Sequence, residues 1–92
     1  MYVHLGQNTV IRSRDLIGIF DLEKTTISHP TRDFLAAATA RDEVINVSPE
    51  MPKSFVVAGQ RGEKNRVYIS QISPATLLKR TDFIHTIANV TK

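Results

Sequence analysis

Cysteine is absent from this chain of 92 residues, so no disulfide or thiolate metal site supplements its core. Long apolar runs are missing as well. No stretch approaches the roughly 20 residues that cross a bilayer, and no transmembrane helix is expected. The opening MYVHLGQN lacks the charged-then-apolar layout of a secretory signal, which makes a soluble, cytoplasmic protein the expectation. Internal repeats and low-complexity segments are lacking too.

Chemistry-bearing patterns are equally sparse. The histidines His4, His29 and His85 are scattered and form no HxH or HExxH spacing, so no metal centre is anticipated. Ser54 and Ser70 have no adjacent base, and Ser73 is explained as a helix cap before Pro74. The run Gly59-Gln60-Arg61-Gly62 precedes a strand rather than a helix and lacks the GK[ST] ending of a phosphate loop. Together these absences argue against an enzyme, a cofactor and a small-molecule substrate.

What the chain does have is a polarised charge. Twelve Lys and Arg oppose nine acids, a net charge of +3. Between Pro52 and Arg80, six bases (Lys53, Arg61, Lys64, Arg66, Lys79 and Arg80) face only Glu63, a local charge of +5, while the remainder sums to −2. Segregation of this kind is what an electrostatic footprint requires, although a solvated face of a small protein produces it by chance as well.

The chain is long enough for one domain, residues 1–92, with a modest core that self-association would reinforce. Residues 2–5 and 9–12 alternate about Gly6-Gln7-Asn8 and predict a hairpin. Residues 15–22, DLIGIFDL, predict a strand with Leu16, Gly18, Phe20 and Leu22 on one side and Ile17 and Ile19 on the other. So little polar alternation places it in the middle of a sheet or at a subunit contact. Gly18 within it suggests a bulge or a close approach of backbone. Pro30 opens a marginal helix to about Arg41, with Phe34, Leu35 and Ala38 as a narrow apolar stripe. Residues 44–47 suggest a short strand, and two prolines keep 48–52 irregular. Residues 54–59 and 66–72 form a second hairpin across a six-residue link, 60–65. After the Ser73-Pro74 cap comes a helix of about 15 residues, with Leu77, Ile84, Ile87 and Ala88 on one face and Phe83 at its margin. The fold class is α+β: a small antiparallel or mixed sheet of about five strands with two helices.

Basic side chains are the strongest functional candidates. Arg offers a planar fork suited to phosphates or to guanine edges, and each counterion released from a polyanion adds affinity. Arg12 and Arg14 share parity on the approach to the third strand, so a regular strand would face them one way. Arg66 shares a face with Tyr68, whose ring belongs to the core or lies against a nucleotide.

Several segments carry a resemblance. MYVHLG, RDLIGIFDLE (14–23), PKSFVV (52–57) and VYISQISPATLLKR (67–80) are similar in order and spacing to the RemB branch of the extracellular-matrix regulatory proteins of Gram-positive bacteria, relatives of the RemA branch. The resemblance covers roughly half the chain. It implies a DNA-binding transcriptional regulator of matrix and biofilm genes. The RemA branch further implies a LytTR-like fold and a ring-like homo-oligomer that engages DNA through repeated arginines. RemA-like proteins carry adjacent arginines where this chain has Met51-Pro52-Lys53, leaving Lys53 as the basic match. Their Asn-Arg pair corresponds to Arg14-Asp15, with the charge displaced by one residue.

The expected function is therefore sequence-tolerant binding of duplex DNA by a homo-oligomer, through Arg12, Arg14, Lys53, Arg61, Lys64 and Arg66. Lys79 and Arg80 fit a solvated helix face equally well. Three other readings compete: a protein-interaction module that docks through the apolar strand 16–22 while the charges only maintain solubility, an RNA-binding oligomer that uses the same basic hairpin with Tyr2 and Tyr68 stacking on bases, and a ring or filament that assembles without any ligand.

Overall fold

The computed structural model describes residues 1–22 and 28–81. The chain runs through β1 (Tyr2–Gly6), β2 (Thr9–Arg12), a 3-10 turn (Ser13–Asp15), β3 (Leu16–Asp21), α1 (His29–Ala40), β4 (Val44–Asn46), β5 (Ser54–Ala58) and β6 (Arg66–Ser70). A second helix, α2, follows from residue 74 and is described to residue 81. The expected apolar positions Phe83, Ile84, Ile87 and Ala88, and His85, lie outside the described residues. No helix among the described residues is long and apolar enough to cross a membrane.

The α+β class and the two helices stand, and among the described residues the strands number six and fall into two sheets. β1 and β2 pair antiparallel as a separate hairpin. The other four form a mixed sheet of order β3-β5-β6-β4, antiparallel except for β4 beside β6. The sheet is the middle of three layers. On one face Val56, Ala58 and Tyr68 pack with Val3, Leu5 and Ile11 of the hairpin, with Val47, and with Leu77 of α2. On the other, Phe55, Val57 and Val67 pack with Ala38 of α1, and Leu35 lies partly buried against them. β5 is buried at all five positions because both faces and both edges are covered. Tyr68 therefore belongs to the core.

Local signals explain both helix starts. The Thr31 N–H donates to the Ser28 hydroxyl at 3.4 Å, with Pro30 in the first turn of α1. The Thr76 N–H donates likewise to Ser73 at 3.3 Å, with Pro74 next to the cap. Two buried serines fasten the layers. Ser70 Oγ donates to the Leu5 carbonyl at 2.6 Å, and Ser54 Oγ donates to the Ile72 carbonyl at 2.7 Å. The Arg80 guanidinium donates to the His4 carbonyl and so ties α2 to β1. Of the two basic residues assigned to a solvated helix face, Arg80 thus has a structural partner.

β3 departs from the mid-sheet placement. Among the described residues it lies at the edge and pairs with β5 alone. Its register shifts between Leu16 and Gly18, the bulge that Gly18 suggested, so Ile17 is an extra residue on the strand. The extra residue reverses the parity on its N-terminal side. Leu16 consequently packs with Ile19 against the hairpin-side cluster, whereas Phe20 stacks on Phe55 on the α1 side, with ring centroids 4.9 Å apart. Simple alternation had grouped Leu16 with Phe20. A Cβ at Gly18 would sit 2.8 Å from the Phe20 ring, so glycine is what admits that stacking.

Candidate nucleic-acid interface

Residues 59–65 close the β5–β6 hairpin, and they are folded back on the 3-10 turn. The Gly59 N–H donates to the Asp15 carbonyl at 2.9 Å, and the Glu63 N–H donates to the Gln60 carbonyl at 3.0 Å. Gly62 has φ +84°, the left-handed conformation that glycine adopts without strain. A Cβ at Gly59 would collide with the Asn65 carboxamide, so the turn packs this closely only on glycine.

The Asp15 side chain joins three segments. Its Oδ2 accepts from Arg12 Nε at 3.0 Å and from Gln60 Nε2 at 3.3 Å. Arg12 retains 35% side-chain exposure and Asp15 16%. An ion pair this open contributes at most about 1 kcal/mol to stability, so its main effect is on where the guanidinium points. Beside it lies a cleft of about 200 Å³. Arg12 comes to the cleft from β2, Lys64 from the turn and Arg66 from β6, with Tyr2, Val10 and Tyr68 also lining it. Glu63 stands in the same lining.

The six sequence-predicted residues are thus only partly brought together. Arg12, Lys64 and Arg66 share the cleft. Arg14 is exposed on the 3-10 turn. That turn breaks the strand between Arg12 and Arg14, so the shared facing expected of a regular strand does not hold. Arg61 is exposed on the 59–65 turn. Lys53 is exposed at the other end of β5, about 16 Å away at strand rise, and does not belong to this cluster. Among the described residues Arg12 has the only ion pair of the six. Beyond Lys64 and Arg66 a second depression is lined by Asp42, Glu43 and Glu63 as well, so of the two hollows it is the one on the Arg12 side in which described bases outnumber acids.

Sequence reasoning missed Asp15 and Gln60 as members of the site, because they stand 45 residues apart. The three-residue spacing of Arg12 and Asp15 across Ser13 and Arg14 was the one local signal. It also missed a groove of about 410 Å³ lined by Ile17, Phe20, Pro30, Phe34, Phe55 and Val57, between β3 and the start of α1. Among the described residues no three of His, Asp and Glu stand where they share a metal ion.

Residues 2–81 match the family described as RemA-like, extracellular matrix regulatory protein A-like. The chain is also 37% identical over 87 residues to extracellular matrix regulatory protein B of Bacillus subtilis (strain 168), covering 95% of this chain and 98% of that protein. The matched span takes in both sheets, α1 and the described part of α2. The chain belongs to the RemA-like family of extracellular matrix regulatory proteins.

Proposed function

We propose that this protein regulates extracellular-matrix and biofilm genes by binding duplex DNA as a homo-oligomer, each copy presenting the same basic end to the phosphate backbone. Membership of a family of matrix regulatory proteins supports the regulatory part of this reading. The observation that carries the rest is the convergence of Arg12, Lys64 and Arg66 on one cleft, with Arg14 and Arg61 exposed on the two adjoining turns.

A duplex carries one negative charge per ~1.7 Å of axis, so every aligned cation that displaces a counterion adds to affinity. One protomer supplies only a handful of such groups, which corresponds to nonspecific binding near ~10⁻⁴–10⁻⁶ M. Repetition around an assembly turns later contacts into intramolecular ones and raises the overall affinity. Lys53 then meets a different stretch of the polyanion from the Arg12 cluster.

The test is a mobility-shift titration with one duplex and its separated strands, repeated across a salt series. Duplex is retained in preference to single strands, and log affinity falls steeply and linearly with log salt. Replacing Arg61, Lys64 and Arg66 together by Ala reduces that slope by about 2–3, at roughly 0.9 per lost phosphate contact, with an unchanged circular dichroism spectrum. Preference for single strands would instead favour the RNA-binding reading, and absence of retention at low salt would remove nucleic acid altogether.

A further inference from the structure

We infer that Asp15 is a positioning residue: it holds Arg12 so that the outer edge of the guanidinium, together with Lys64 and Arg66, forms a seat for one phosphate group. This inference rests on the DNA-binding reading and goes beyond it by assigning opposite roles to two carboxylates in one cleft.

The geometry separates the two acids. Asp15 Oδ2 takes the Nε–H of Arg12 and is itself held by Gln60 Nε2. Its backbone carbonyl is fixed by the Gly59 N–H. Because the bond to Asp15 uses Nε, the two terminal amines of Arg12 are left without a protein partner among the described residues. Those amines are the fork that grips a phosphate bidentately. The Glu63 side chain differs: it is exposed on the turn and makes no ion pair among the described residues. Its carboxylate therefore acts on an incoming phosphate only by repulsion.

Charge counting and positioning disagree about Asp15. If only net charge matters, neutralising either acid strengthens binding. If Asp15 orients Arg12, its neutralisation frees the guanidinium to sample many rotamers, and the gain in charge is outweighed by loss of the preformed fork. The chemical class of the ligand is a phosphodiester of the duplex backbone.

The experiment measures duplex affinity at one fixed salt concentration for the whole chain and for Glu63→Gln, Asp15→Asn, Gln60→Ala and Arg12→Ala, plus the Arg12→Ala/Asp15→Asn pair. Glu63→Gln is expected to tighten binding about two- to threefold. Asp15→Asn is expected to weaken it about tenfold, the scale of one charge-assisted contact. Gln60→Ala, which leaves all charges in place, weakens it in the same direction and keeps the test open should Asp15→Asn fold poorly. In the Arg12→Ala background the loss from Asp15→Asn vanishes, as a double-mutant cycle requires of residues that act through one another. Binding by Asp15→Asn as tight as or tighter than the parent overturns the inference while leaving DNA binding intact, and so does a loss that persists without Arg12. Failure of the parent chain to bind duplex overturns both.

Discussion

Ser70 shows how much one hydroxyl contributes to this fold. It is wholly buried at the end of β6, where it donates to the Leu5 carbonyl and accepts from the Ile72 N–H at 3.0 Å. Ser70→Ala removes the hydroxyl partner of the Leu5 carbonyl in the interior and of the part-buried Ile72 N–H. That change is expected to cost about 1–3 kcal/mol, read as a lower urea midpoint at constant slope. Nothing in the sequence announced this role, because Leu5 and Ser70 lie 65 residues apart. Ser73, by contrast, was legible as a cap: it bonds a backbone N–H three residues on, as Ser28 does, and a cap is decided within one turn of chain. Asp15 and Gln60 fall with Ser70. Short-range chemistry could be read from the letters, and the contacts that assemble the site could not.

Among the elements, the start of α2 was foreseen from its cap, and the structure gives an energetic meaning to Leu77, the one residue of its expected apolar face that lies in the described part. Leu77 is wholly buried in the hairpin-side cluster, while the next residue, Leu78, is 48% exposed. Leu77→Ala is therefore expected to destabilise by about 2–5 kcal/mol, and Leu78→Ala to stay within about 0.5 kcal/mol. Chemical denaturation of the two variants side by side checks the contrast, since composition and helix propensity change equally in both. β3 yielded less to the same kind of reading. An apolar run bounded by acids is compatible with a central strand or with an edge strand that another body covers, and sequence carries no record of which strand lands beside it. The bulge at Ile17 added a parity change that alternation cannot reveal in advance, although Gly18 marked where it falls.

At the scale of the whole molecule, the unresolved tension is that an edge strand carries core-like residues. Ile17 is 60% exposed, Phe20 and Phe34 are 40% exposed, and together they border the apolar groove. No strand lies beyond β3 among the described residues. Edge strands of stable monomers are usually blunted with charge or proline, whereas this one offers isoleucine and phenylalanine. A subunit contact, the alternative the apolar pattern allowed from the start, would account for that choice and would supply the repetition that the proposed DNA binding requires. Ile17→Asp tests the link directly. Ile17 stands at the bulge and is largely exposed, so the protomer should retain its circular dichroism spectrum. Light scattering on a gel-filtration column should show a multimer for the parent chain and a single copy for the variant. Duplex affinity of the variant should fall toward the ~10⁻⁴–10⁻⁶ M expected of isolated basic patches, even though no cation has been touched. A parent chain that is monomeric at high micromolar concentration, or a variant that loses its assembly yet binds DNA as tightly as before, would detach the apolar edge from the basic end. The two surfaces would then serve separate partners.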